Sequence, residues 1–138
     1  MMDTFFLFLS QNFIAVTILL FAILGLLIHE SRRGGEKIEP SLATQMVNKQ
    51  NGFLIDLRSE KEFSSGHISG SINCESLDSL EIILDQHKKD NPVVLVCQNG
   101  SVSKQAGLKL KKLGYTKNYI IQNGITGWKA QGLPLINN

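Results

Sequence analysis

Val93-Val94-Leu95-Val96-Cys97-Gln98-Asn99-Gly100-Ser101-Val102-Ser103 follows Pro92 and carries the two features on which the reading of this chain turns. The first four residues are a continuous apolar, mostly β-branched run, which suits a strand covered on both faces, as strands of parallel sheets are. A polar loop follows, and a helix resumes by Ser103, with Ala106, Leu110 and Leu113 at inward spacing and Gly114 at its end. Cys97 is thus the first residue beyond the carboxyl end of a buried strand, where open parallel sheets bind their ligands. Gly100 lets the backbone turn so that several amides point inward, and together with the helix N-terminus they favour negative charge. Such a cradle lowers a thiol below its ordinary value of about 8.5 and holds an anionic group. On local pattern alone, a small buried residue at a strand end explains Cys97 equally well.

Outward from this stretch, helical and strand patterns alternate. Pro40 opens a helix carrying Leu42, Met46 and Val47, which ends before Asn51 and Gly52. Residues 53–57 form a short apolar strand, and Ser59 with Glu62 has the form of a capping box that starts a short helix closed by Gly66. A strand at 71–73 follows, then a helix from Ser76 with Leu77, Leu80, Ile83 and Leu84 on one face, ending at Lys88 and Lys89. Asn118–Ile121 supplies a last strand. This alternation predicts an α/β domain built on a largely parallel sheet.

At 138 residues the chain holds one domain and an appendage. A net charge of +2, with Lys109, Lys111 and Lys112 the densest basic group, argues against a nucleic-acid partner. Cys74 and Cys97 are too few for a disulfide scaffold, and His29, His67 and His87 lie scattered without ligand spacing, so no metal site is expected. Cys74 lacks a comparable loop and reads as structural; as a resolving thiol it would have to lie near Cys97.

The appendage is apolar. Residues 4–28 are interrupted only by Ser10, Gln11 and Asn12, and as one helix would span roughly 37 Å, more than the ~30 Å of a hydrocarbon core. The segment opens with Asp3 and runs through Leu26, Leu27 and Ile28 into His29, unlike a cleaved signal peptide. It is also apolar on every face, unlike a core helix. Residues 1–29 are therefore expected to be a transmembrane anchor, 30–36 a basic, glycine-containing linker with Gly34-Gly35 as a flexible joint, and 37–138 the domain. Arg32, Arg33 and Lys37 flank only the carboxyl side, which predicts a single-pass protein, in the inner membrane if bacterial, with its domain cytoplasmic.

Asp56-Leu57-Arg58 with Glu62 and Phe63, Gly66-His67-Ile68, Gly70-Ser71-Ile72-Asn73, the 93–100 strand and loop, and Gly124 to Gly127-Trp128 with Gly132-Leu133-Pro134 occur in an order and spacing that resembles the rhodanese family of sulfurtransferases over residues 38–134. The resemblance implies a five-stranded open parallel sheet with helices on both faces. It implies that Cys97 attacks a sulfane sulfur, carries it as a persulfide and passes it to a thiol acceptor, with no metal or organic cofactor. The loop from Cys97 to Val102 has the six-residue length typical of sulfur-handling members, shorter than that of the related cell-cycle phosphatases.

The family's loops commonly read Cys-x-x-Gly-x-Arg, and Val102 stands at the arginine position. Gln98, Asn99, Gly100, Ser101, Val102 and Ser103 would form the substrate-binding loop, and Arg58, at the same sheet edge, could supply an anion contact or pair with Glu60 or Glu62. Asp56 and His67 would fix turns, Trp128 would pack, and Lys104 would face solvent. The expected function is a membrane-anchored sulfurtransferase or persulfide carrier, whose partners are a small sulfur donor, a thiol acceptor and the bilayer. The alternative is a catalytically weak or inactive module that binds a membrane protein partner at the cytoplasmic face. A redox sensor using Cys97 is a weaker third.

Overall fold

The apolar run beginning at Val93 lies in the middle of the sheet. In chain order the strands are β1 (Glu36–Ile38), β2 (Phe53–Asp56), β3 (Ile72–Asn73), β4 (Val93–Val96) and β5 (Asn118–Ile121), all parallel and arranged β1-β5-β4-β2-β3. All four residues of β4 are buried because both faces are covered. Val94 and Val96, with Leu54 and Ile121, pack beneath helices α3 (Pro40–Lys49) and α7 (Gly124–Ala130), while Val93 and Leu95, with Ile55, pack beneath α5 (Leu80–Leu84) and α6 (Ser101–Lys112). Alternating side chains thus enter two separate apolar cores, which removes the polar alternation of a one-sided strand.

The computed structural model describes residues 1–31 and 33–137, as two units, Met1–Arg32 and Arg33–Asn138. Arg32, one of the three basic residues read as a flank, lies outside the described residues. In the larger unit the boundary moves. The expected Gly34-Gly35 joint is part of the domain: Gly34 is buried, and β1, which local pattern did not reveal, begins at Glu36 and pairs with Tyr119. A Cβ on Gly107 of α6 would lie 1.6 Å from the Gly34 carbonyl oxygen, and one on Gly34 would lie 2.0 Å from that of Lys104. Two facing glycines let the backbones touch, and Lys111 Nζ donates to the Arg33 carbonyl beside them. Flexibility was the wrong inference from this pair, since glycine also serves close backbone approach.

The helix expected from Ser76 to Lys89 is shorter. A single 3-10 turn, Leu77–Ser79, leads into α5, which stops at Leu84. The Leu84 carbonyl accepts from His87 N–H at 2.9 Å and from the Tyr115 hydroxyl at 2.8 Å, so it is taken before a further helical turn can use it. The expected capping box is formed: Ser59 and Glu62 exchange bonds at the start of α4 (Glu60–Ser65).

In the smaller unit the expected single helix is broken. Helix α1 (Met2–Gln11) and helix α2 (Phe13–Ser31) meet at 85° around Asn12, whose φ of −114° and ψ of 26° leave the helical region. Ser10 Oγ donates back to Leu7 O and Asn12 Nδ2 to Phe8 O, local bonds that compete with continuation of the helix. Among the described residues no single helix is long and apolar enough to cross a membrane; the bent pair reaches the length and apolar composition of a span only when its two helices are taken together.

Candidate active site

The carboxyl ends of β2, β3 and β4 bring three sequence signatures to one edge. Asp56 is in register with Val96 and with Asn73, so Arg58, Cys74 and Cys97 each follow neighbouring strands by one or two residues. Cys97 is 2% exposed at the start of the loop. Gly100, with φ at 98°, lies in the left-handed region that a side chain rarely adopts, and this turn aims its N–H at Cys97 Sγ at 2.9 Å. Asn99 Oδ1 accepts from both Ser101 N–H at 3.2 Å and Ser101 Oγ at 2.8 Å, an Asx-type turn that fixes the loop from within. Helix α6 starts at Ser101, two residues before the sequence suggested, so the Ser101, Val102 and Ser103 amides form its first turn and have no intrahelical acceptor.

The opposite side of the loop is held by α7, a contact that sequence reasoning missed. Ile125 N–H donates to the Cys97 carbonyl at 2.8 Å, and Thr126 donates to the Gln98 carbonyl through N–H at 3.4 Å and Oγ1 at 3.0 Å. Gly124 makes this possible, since a Cβ there would lie 2.1 Å from the Cys97 carbonyl oxygen. With those carbonyls held by α7, the Gly100 N–H is left to face the sulfur. The Gly124-to-Trp128 signature was visible in the sequence, but nothing local tied it to a loop some 25 residues earlier.

The ion-pair partner of Arg58 is Asp56 rather than the expected Glu60 or Glu62, so its guanidinium is already engaged at this edge. Its Nε and Nη2 clasp Asp56, with Nη2 to Oδ2 at 2.8 Å, and Nη2 also donates to the Gly66 carbonyl at 2.6 Å. Both residues are buried, Asp56 completely, so the guanidinium is committed to neutralising an internal carboxylate that would otherwise be left uncompensated. Asn73 Nδ2 donates to the carbonyls of Asp56 and Arg58 and ties β3 to this turn. His67 stacks on Phe63 with ring centroids 3.8 Å apart and its Nδ1 lies 2.8 Å from Phe63 O, a turn-fixing role as expected. Trp128 packs in the core, its Nε1 donating to Pro134 O.

Cys74 shares the core cluster of Cys97 but is chemically set apart. Its thiol donates to Ser76 O at 3.0 Å, and burial pushes its pKa up against a weaker opposing pull from Lys109. Both cysteines are free. A cleft of about 350 Å³ lined by Thr44, Val47, Ile68, Trp128 and Leu133 lies on the α3–α7 face. Cys97 packs in the other core, away from this mainly apolar cleft.

Residues 39–131 match the Rhodanese-like domain family, a stretch that runs from the foot of α3 past the end of α7. The chain belongs to this family. The rhodanese domain is 31% identical over 96 residues to the uncharacterized protein YibN of Escherichia coli, covering 68% of this chain and 67% of that protein. It is 29% identical over 99 residues to the thiosulfate sulfurtransferase GlpE of Actinobacillus succinogenes, covering 72% of this chain and 88% of that one. The crystal structure of a thiosulfate sulfurtransferase from Pseudomonas aeruginosa shares the rhodanese fold with a TM-score of 0.68 at 18% identity, over 75% of this chain and 20% of that one.

Proposed function

We propose that this rhodanese domain is a membrane-anchored sulfurtransferase or persulfide carrier working through Cys97. The observation that carries the proposal is the Gly100 N–H aimed at Cys97 Sγ inside a loop whose outer carbonyls are engaged by α7. An amide donor and the first turn of α6 stabilise a sulfur-centred anion both before and after transfer. The Cys97 thiolate attacks the terminal sulfur of a donor, a new S–S bond forms, and the donor's S–S bond breaks with its electron pair leaving on sulfite or a thiolate. An acceptor thiolate then attacks the outer sulfur of the Cys97 persulfide and returns the Cys97 thiolate, so one difficult transfer becomes two displacements without net redox change.

Donor choice follows from Val102. This residue is 42% exposed in the first turn of α6 and offers no charge to thiosulfate, while Arg58 is engaged by Asp56. A persulfide donor, carrying less charge than thiosulfate, suits such a loop better. Val102→Arg is expected to raise thiosulfate turnover about tenfold, the effect of one charge-assisted hydrogen bond of roughly 1.5 kcal/mol in the transition state. Steady-state rates with thiosulfate and a small persulfide, alongside mass spectrometry for a sulfur adduct on Cys97, test this. The same loop valine favours a second reading, a partner-binding module; no adduct from either donor and an inert Val102→Arg variant would leave that reading standing.

The membrane part of the proposal is supported by the apolar surface of α2. Phe13, Ile18, Phe21 and Leu26 are 65 to 70% exposed on different sides of the helix, and lipid is the medium that would cover all of them. With Arg33 and Lys37 on the carboxyl side, a reporter fused after Asn138 is expected to be active only in the cytoplasm. Activity of a periplasmic or extracellular reporter would reverse the orientation.

A further inference from the structure

We propose that the Ser103 hydroxyl donates a hydrogen bond to the Cys97 sulfur when that sulfur carries negative charge, making Ser103 a further catalytic residue beyond the loop amides. The inference deepens the function proposed above and rests on Cys97 being the reactive sulfur. Ser103 is completely buried, and its Oγ has no hydrogen-bond partner among the described residues. Such an orphaned hydroxyl is uncommon and costs free energy, so it calls for an explanation. It lies in the first turn of α6, where serine hydroxyls ordinarily find a backbone group to bond.

The location of Ser103 supplies the explanation. Gly100 is the N-cap of α6, which makes Ser103 the third helical residue. The third residue of a helix lies one turn from its N-cap, on the side from which the longer Glu or Gln side chain of a capping box reaches back. Here the Gly100 N–H is already occupied, and what it meets is Cys97 Sγ at 2.9 Å. The sulfur and the buried Ser103 thus both belong to the N-terminal turn of α6, the sulfur through the N-cap N–H and Ser103 as its third residue.

A neutral thiol is a weak acceptor and leaves the hydroxyl idle; a thiolate or persulfide anion is a strong one. Asn118 Oδ1 is the other buried polar atom without a partner among the described residues, but its amide nitrogen bonds Gly107 O and Tyr115 O and it sits at the start of β5, at the opposite edge of the sheet. It has no sulfur to serve.

The experiment compares the full chain with Ser103→Ala and Ser103→Thr, following iodoacetamide modification of the Cys97 peptide by mass spectrometry across pH, with thermal unfolding alongside. Ser103→Ala is expected to move half-maximal modification upward by about one pH unit, a roughly tenfold smaller thiolate fraction at fixed pH. It should not lower the melting temperature, because an unbonded hydroxyl is lost. Ser103→Thr keeps the donor and is expected to restore the parent profile; Ser103→Val, isosteric with threonine but without a donor, replaces alanine if that variant fails to fold. An unchanged profile in the variant lacking the hydroxyl overturns the proposal, as does an equal shift in alanine and threonine variants that tracks a lowered melting temperature. Alkylation needs no sulfur donor, so the outcome is read even if Cys97 accepts sulfur from none.

Discussion

Cys97→Ser is expected to abolish sulfur uptake, reducing transfer to the uncatalysed background, a loss on the order of 10³-fold or more, while Cys74→Ser retains it. The two cysteines lie in the same core and differ in exposure by one percentage point, so burial cannot separate them. Their partners do. Cys97 Sγ accepts an N–H from Gly100, an interaction that grows stronger when the sulfur is anionic. Cys74 donates its S–H to Ser76 O, an interaction that ionisation would destroy, and burial holds its thiol protonated above its ordinary range. Mass spectrometry after incubation with a persulfide donor should find one added sulfur on the Cys97 peptide alone. Iodoacetamide at pH 8 should label Cys97 in the folded chain and reach Cys74 only in denaturant. A sulfur adduct on Cys74, or full transfer by Cys97→Ser, would contradict the assignment.

Gly107→Ala is expected to destabilise the rhodanese domain by about 3 kcal/mol or more, although intrinsic helix propensity taken alone would have it stabilise by ~1 kcal/mol. The new methyl would sit 1.6 Å from the Gly34 carbonyl oxygen, and that neighbour is backbone, which cannot rotate away as a side chain end can. Helix α6 would have to part from the segment that feeds β1. For a domain of ~100 residues the loss corresponds to a fall in melting temperature of roughly 12 °C or more. Gly25→Ala, where nothing lies within 4 Å, is the control that leaves the transition unchanged. The same contact predicts that a fragment starting at Arg33 outlasts one starting at Lys37, which lacks the glycine clasp and the Lys111 bond to the Arg33 carbonyl. Equal melting temperatures for parent and Gly107→Ala would mean that the two backbones do not touch.

Much of the domain was legible because its signals are local. The Val93–Val96 strand and the inward stripe of α6 are recorded as hydrophobic periodicity, and the Ser59–Glu62 capping box as two residue types three apart. Strand β1 escaped notice because only one of its three residues, Ile38, is buried, and its existence depends on pairing with β5, some 80 residues away. The position of Cys97 followed from the strand before it and the glycine after it, both within four residues.

The sequence by itself determined the alternation of strands and helices, the buried central strand, the cysteine at its carboxyl end and the shortage of charge at Val102, since each depends on residues adjacent in the chain. Tertiary structure alone decided which partner each ambiguous group takes. Arg58 had three carboxylates within reach in sequence, and the fully buried one claimed it, because an uncompensated internal charge costs far more than an exposed pair returns. Gly34 and Gly35 could have been a hinge until Gly107 was brought against the first and β5 against the second, and the hold of α7 on the Cys97 loop exists only because parallel strands β4 and β5 end side by side.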